Sequence, residues 1–163
     1  MAKTKTPTLA RKSAVIVLLP TVESARRLAL PNGDPATELH CTLHFLAEAD
    51  REAVGRSELA VGCRKAAEVA SSLTEHVEAV SGLGSDDPQA QVLLLTNRHV
   101  GTVRNLLTTF VPTIPPSRFP NFTPHVTLGY GIEIDPKPFV GLPILFDRIG
   151  FWWGDDRIEY PLR

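Results

Sequence analysis

Cysteine is scarce in this sequence, since only Cys41 and Cys63 occur among 163 residues and they form no CxxC pair. A disulfide framework or a zinc knuckle needs more thiols at closer spacing, so neither is expected. A chain of this length buries enough surface to hold a core without disulfides or a structural metal. Free thiols are typical of a reducing compartment, and we therefore expect a cytoplasmic protein.

An excess of charge of one sign is also missing. The 17 basic and 18 acidic residues give a net charge of −1, so no strong field attracts the chain to duplex DNA or to an anionic membrane. No stretch approaches the ~20 apolar residues of a membrane span. The apolar run at 14–19 ends at Pro20 and is followed by Arg26 and Arg27, which disfavours a secretory signal. Residues 1–12 predict a flexible basic tail, and residues 13–163 predict a single domain.

The apolar periodicity predicts an α+β class with mostly antiparallel strand pairing. Three helices are expected: one over 22–30 capped by Thr21, a long one that begins at Asp50, and one that begins after Asn97. The long helix is expected to bury a stripe that includes Val54, Val61, Ala70 and Leu73. Strands are expected at 14–19, 39–46, 76–80, 91–96, 144–153 and 157–162, and from residue 125 onward.

A four-residue motif occurs twice in the chain. The sequence His-Cys-Thr-Leu at 40–43 returns 85 residues later as His-Val-Thr-Leu at 125–128. Each copy follows a predicted buried strand, a helix and an irregular segment, which indicates a duplicated strand–helix–strand unit. Two such units related by a pseudo-twofold axis would bring both motifs to one place.

Strand alternation explains the spacing within each motif. His40 and Thr42 point to one side of a strand, and His125 and Thr127 do the same on the other strand. Histidine titrates near neutrality, so one imidazole can accept a proton while the other donates one. The hydroxyls can donate hydrogen bonds to the non-bridging oxygens of a phosphate. This set of side chains suits water attack or transfer at a phosphodiester without a metal.

With both motifs in view, the sequence resembles the 2H phosphoesterase superfamily, whose signature is two H-x-T/S-hydrophobic motifs. The segments at 38–47 and 123–130 are similar to the branch that contains 2′-5′ RNA ligases and RNA 2′,3′-cyclic phosphodiesterases, including small actinobacterial and phage versions. The resemblance covers residues 14–162. It implies a bilobal, pseudo-twofold α+β fold around a central cleft, with His40, His125, Thr42 and Thr127 at the catalytic positions. Many relatives carry a basic residue soon after the second motif, where this chain has Gly-Tyr-Gly at 129–131.

The resemblance implies a hydrolase, a phosphodiesterase that needs no cofactor and opens a cyclic phosphate or cuts a 2′-5′ linkage in a nucleotide or short RNA. We expect a monomer with no membrane partner. Two alternatives stay open. A phage-borne enzyme could use the same chemistry to degrade a cyclic nucleotide signal of host defence. A non-catalytic module could bind RNA ends or serve as an accessory protein of a virion.

Several residues outside the two motifs are candidate substrate contacts, and one pair of histidines can be assessed as a metal site. His44 is predicted to share the face of His40 and Thr42, and alternation predicts that only one of two adjacent tryptophans faces the cleft. His40 and His44 lie about 13 Å apart along a strand, too far for one metal ion, so no metal site is expected. The candidate substrate contacts are His44, Arg118, Tyr130, Trp152 and Trp153.

Overall fold

The computed structural model describes residues 12–117 and 121–163. The predicted tail at 1–12 therefore lies outside the described residues except for Lys12, and Arg118 lies outside them as well. Within these two ranges, seven strands and four α-helices follow one another, with a short 3₁₀ turn at Ala36–Glu38 before the second strand. The elements are β1 (Ala14–Pro20), α1 (Val22–Leu28), β2 (Cys41–Leu46), α2 (Glu48–Val54), α3 (Arg56–Val69), β3 (Leu73–Leu83), β4 (Ala90–Leu95), α4 (Val100–Phe110), β5 (His125–Tyr130), β6 (Pro143–Trp153) and β7 (Asp156–Pro161).

The strands form one sheet in the order β1-β2-β5-β4-β3-β6-β7, and every pair among the described residues is antiparallel. Strand β6 pairs with β3 through its first residues and with β1 through the rest. The pairing of β6 with β1 therefore connects the β3 side of the sheet back to its first strand. The predicted α+β class with antiparallel pairing is confirmed. The duplicated units are β1-α1-β2 and β4-α4-β5, and they meet where β2 pairs with β5.

The core lies on the sheet face that carries Leu18 of β1, Cys41 of β2 and Val126 of β5, each fully buried. Helix α3 packs on β6 and on α4, and α4 packs on β2. Both cysteines are buried free thiols, and burial raises the pKa of each to about 12, so neither is a nucleophile at neutral pH. None of the helices in the described ranges has the length and apolarity needed to cross a bilayer.

The prediction of one long helix from Asp50 is wrong. Gly55 has φ of 95°, a conformation that favours glycine, and its N–H caps α2 while its carbonyl accepts the first bond of α3. Helix α3 ends at Val69, and Leu73 already belongs to β3. Val61 is exposed, because the buried stripe of α3 runs through Leu59 and Cys63 instead.

A buried carboxylate joins β3 to α4. The oxygens of Glu75 accept the backbone N–H groups of His99 (2.6 Å), Val100 (3.1 Å) and Arg98 (3.2 Å), and the hydroxyl of Thr96. Burial alone raises the pKa of Glu75, but these hydrogen bonds together outweigh it and hold the pKa below its ordinary value. The predicted cap residue Asn97 contributes only one further bond, from the N–H of Gly101.

Candidate active site

The two motifs come together where β2 and β5 pair. His40 immediately precedes β2, and His125 is the first residue of β5. Cys41 pairs with Val126, so the antiparallel register sets His40 beside Thr127 and Thr42 beside His125. The paired residues are fully buried, whereas the four motif side chains are half-buried. We call the sheet face that carries Thr42 and Thr127 the site face, and the opposite face the helix face.

Both histidines are held in the same way. The Nδ1–H of His40 donates to the carbonyl oxygen of Glu38, and the Nδ1–H of His125 donates to that of Thr123, each at 2.7 Å. A carbonyl oxygen only accepts, so the proton of each neutral ring is on Nδ1 and Nε2 is left free for chemistry. The duplicated unit thus repeats the orientation of the imidazole as well as its position.

A β-bulge follows each motif threonine. Val17 pairs with Thr42 and Ile16 with His44, which leaves Leu43 as the extra residue in β2. Val92 pairs with Thr127 and Gln91 with Gly129, which leaves Leu128 as the extra residue in β5. An extra residue reverses the faces of the residues that follow it.

The first bulge places His44 on the opposite side of the sheet from Thr42. Its Nε2–H donates to the carbonyl oxygen of Arg104 in α4 (3.2 Å), and the Nε of Arg104 donates to the carbonyl of Leu43 (3.1 Å). Burial lowers the pKa of His44 to about 4, so the ring is neutral at pH 7. The prediction that His44 shares the face of His40 and Thr42 is therefore wrong, and His44 lies on the helix face.

The two adjacent tryptophans separate as alternation requires. Trp152 lies edge-on to His40, with ring centroids 4.6 Å apart. Trp153 lies on the helix face, where it contacts Phe151 and the guanidinium of Arg51. Only Trp152 is placed at the site.

A ring of contacts surrounds His40, and its members are far apart in the sequence. Arg157 of β7 lies 4.3 Å over the ring of Trp152 and donates two hydrogen bonds, of 3.0 and 2.9 Å, to the carboxylate of Glu38. The backbone carbonyl of the same Glu38 fixes His40. Neither Glu38 nor Arg157 was a candidate from the sequence.

Solved structures of other proteins share this architecture. The structure of TT0787 from Thermus thermophilus matches at 14% identity with a TM-score of 0.65, over 93% of this chain and 95% of that one. Escherichia coli LigT in complex with 3′-AMP matches at 16% identity with a TM-score of 0.54, over the same shares. Kluyveromyces marxianus Usb1 matches at 14% identity with a TM-score of 0.57, over 93% of this chain and 99% of that one.

The chain has the 2H phosphoesterase fold. Neither a protein-family model nor a curated protein sequence matches it. The E. coli protein has also been solved with ATP, NADP⁺ and phosphate. At these identities the likeness establishes the fold, and the chemistry must be argued from the residues of this chain.

Within the 2H fold, the environment of His40 favours its neutral form. Burial is the main cause that lowers its pKa, and the positive charges of Arg157 and His125 lower it further. The hydrogen bond and the charge of Glu38 oppose this shift without reversing it. His40 is therefore neutral at pH 7, with Nε2 available to accept a proton.

Close backbone packing accounts for Gly129, the first residue of the Gly-Tyr-Gly segment after the second motif. A Cβ at Gly129 would lie 3.1 Å from the Cα of Gly33, and the N–H of Asp34 donates to the carbonyl of Leu128 at 2.7 Å. A loop at 31–34 thus lies against β5 at close backbone contact, which only small residues allow. Tyr130 remains half-exposed, and burial, followed by the charges of Asp34 and Asp86, raises the pKa of its phenol.

No group of three or more histidine, cysteine or carboxylate side chains within 12–117 and 121–163 is arranged to hold a metal ion. His40, Thr42, His125 and Thr127 offer two nitrogens and two hydroxyls, a set suited to proton transfer and to hydrogen bonding with an anion.

Proposed function

We propose that this protein is a phosphodiesterase that cleaves a cyclic phosphate, such as a 2′,3′-cyclic one, or a 2′-5′ linkage in a nucleotide or short RNA. The observation that carries the proposal is the matched pair of imidazoles, each fixed through Nδ1 at 2.7 Å and each beside a threonine of the other motif. A protein that only bound RNA ends would need no two identically oriented titrating groups.

The two histidines have different roles in this proposal. His40 is neutral, so its Nε2 takes the proton of the attacking water while the water oxygen bonds to phosphorus. The bond from phosphorus to the leaving oxygen breaks, and that oxygen takes a proton from Nε2 of His125. Thr42 and Thr127 donate hydrogen bonds to the non-bridging oxygens, where charge is held as phosphorus becomes five-coordinate.

The asymmetry around the rings supports this assignment. Trp152, Glu38 and Arg157 enclose His40, and the nearby guanidinium disfavours a second positive charge on the ring. A base must be neutral before the reaction, so the enclosed ring is the suitable one. Every proton transfer in this mechanism uses a side chain of this protein. The proposal also places the protein in the cytoplasm, as a monomer that acts on a nucleotide or short RNA.

The test is a panel of phosphodiesters. The purified protein is incubated with 2′,3′-cyclic nucleotides, 3′,5′-cyclic nucleotides and 2′-5′-linked dinucleotides, and the products are separated by chromatography. We expect hydrolysis of at least one 2′,3′-cyclic or 2′-5′ substrate, and unchanged hydrolysis by His99→Ala, since His99 is an exposed histidine at the start of α4 whose side chain makes no cap bond. A folded protein that turns over no member of the panel would contradict the proposal.

A further inference from the structure

Arg157 of β7 and Glu38 form an ion pair at the edge of the site. The guanidinium donates to both carboxylate oxygens, at 3.0 and 2.9 Å, and the two side chains are 46% and 41% exposed. An ion pair that is open to solvent contributes little net stability, because water solvates both charges when they separate. Another anion can therefore take the place of the Glu38 carboxylate with little loss.

The strand register places Arg157 on the site face. Arg157 pairs with Trp152 on β6, and Trp152 pairs with Val15 on β1. Val15 is two residues from Val17, which pairs with Thr42. Cross-strand partners share a face and residues two apart on a strand share a face, so Arg157 lies on the same side of the sheet as the motif threonine.

Trp152 keeps the guanidinium close to His40. The guanidinium carbon of Arg157 lies 4.3 Å from the centroid of the tryptophan ring, and that ring lies 4.6 Å from the imidazole centroid. These two contacts limit the distance from the guanidinium to the imidazole to about 9 Å. The attraction between the cation and the ring does not depend on the carboxylate, so Arg157 stays beside the site when its hydrogen bonds pass to another anion.

Charge favours the β7 end of the site for a second anionic group. At the end of β5, burial and then the charges of Asp34 and Asp86 raise the pKa of Tyr130, so this end repels an anion. Beside β7, the guanidinium of Arg157 is nearly half exposed and offers a fork of N–H donors that fits a phosphate as well as a carboxylate. A further phosphate is therefore directed towards Arg157.

We propose that Arg157 is the subsite for a second phosphate of the substrate, which displaces the carboxylate of Glu38, so that the preferred substrate carries a 5′-phosphate besides the phosphodiester that is cleaved. This inference rests on the proposed function for the position of the cleaved group, between the two histidines. A 5′-phosphate and a 2′,3′-cyclic phosphate belong to the same ribose, which suits the short separation of Arg157 and His40. A phosphomonoester carries more negative charge than a carboxylate and accepts bidentate hydrogen bonds, which favours the exchange.

The experiment compares kcat/KM for adenosine 2′,3′-cyclic phosphate with and without a 5′-phosphate, at the pH optimum of each variant. We expect wild type to favour the 5′-phosphorylated substrate about tenfold, mainly through KM. Arg157→Gln should lose this preference, and Arg157→Lys should keep part of it, because lysine has the charge without the fork. Glu38→Gln should increase the preference, because the phosphate no longer competes with a carboxylate.

Arg56→Gln is the matched control. Arg56 forms an exposed ion pair with Asp156, the residue before Arg157, so this variant also removes one exposed guanidinium beside β7. Asp156 pairs with Trp153, which lies on the helix face, and the preference for the 5′-phosphate should be unchanged. A purely structural role of Arg157 would slow both substrates equally in Arg157→Gln, and a preference that this variant retains would overturn the inference.

Binding to the double variant His40→Ala, His125→Ala separates the inference from the proposed function. Calorimetry compares adenosine 3′,5′-bisphosphate with adenosine 3′-phosphate in this background, with and without Arg157→Gln. If the bisphosphate binds about tenfold more tightly and Arg157→Gln removes the difference, while the intact protein hydrolyses nothing, the subsite stands and the catalytic proposal fails. If hydrolysis is normal and wild type shows no preference for the 5′-phosphate, the catalytic proposal stands and the subsite inference fails.

Discussion

Removal of the buried carboxylate of Glu75 is expected to destabilise the second duplicated unit. Its oxygens accept three backbone N–H groups at the start of α4 and the hydroxyl of Thr96, and the residue is fully buried. In Glu75→Gln one oxygen becomes an NH₂ group, and the remaining bonds lose their charge assistance. A hydrogen bond to a charged group contributes about 1.5–3 kcal/mol and a neutral one about 0.5–1.5, so we expect a net loss of about 2 kcal/mol.

Glu75→Leu should cost more, because it leaves the N–H groups of Arg98, His99 and Val100 without their acceptor. Each unsatisfied donor costs about 1–3 kcal/mol, less whatever water supplies, so a loss of about 3–5 kcal/mol is expected. Urea unfolding followed by circular dichroism measures both variants, and the thermal midpoint should fall by about 4–8 °C for Glu75→Gln. Glu78→Gln is the matched control, because Glu78 is an exposed acid on the same strand.

The pH dependence gives an independent check. The folded pKa of Glu75 is lowered, so its contribution to stability is complete above the unfolded pKa of about 4.3 and is lost as pH falls towards the folded value. The stability difference between wild type and Glu75→Gln should therefore shrink on acidification below about pH 4. A Glu75→Gln variant within about 0.5 kcal/mol of wild type at pH 7, or a difference that grows in acid, would refute the reasoning.

The other expectations concern the site. Arg157→Gln should raise the pKa of His40, which moves the acid-side fall in rate to higher pH, and Glu38→Gln should lower that pKa, which moves the fall to lower pH. Nuclear magnetic resonance titration of the His40 ring checks both directions, and pKa shifts of the same sign in the two variants would contradict them. Thr42→Ala or Thr127→Ala should each reduce kcat/KM about tenfold, partly through KM, since a neutral hydrogen bond contributes ~1 kcal/mol; losses as large as those of the histidine variants would reassign these residues. Hydrolysis should persist in excess chelator, and a loss that a divalent ion restores would revive a metal mechanism.

Strand alternation and the repeat were sufficient to predict the grouping of His40, Thr42, His125 and Thr127. They fail at the residues just beyond each threonine, because a β-bulge has no compositional signature. The bulge after Thr42 is the reason that His44 lies on the helix face.

Other features depend on contacts that no local pattern contains. Glu38 and Arg157 are 119 residues apart and meet only because β7 lies beside β6, where Arg157 pairs with Trp152. Glu75 caps a helix 25 residues later in the chain. Gly55, by contrast, could have been recognised in the sequence, because a glycine within a helical pattern can mark a helix end. Its positive φ divides the predicted helix into α2 and α3.

The most direct test of the account is the rate of phosphodiester hydrolysis by His40→Ala and His125→Ala, measured from acid to alkaline pH beside wild type. A general acid and a general base each contribute about 10²–10⁴ in rate, so each variant should lose at least ~100-fold in kcat while retaining the wild-type circular dichroism spectrum. Wild-type kcat should peak between two pKa values and fall on both sides, because one ring must be neutral and the other protonated. Folded variants that hydrolyse the same substrate at the wild-type rate would contradict the assignment.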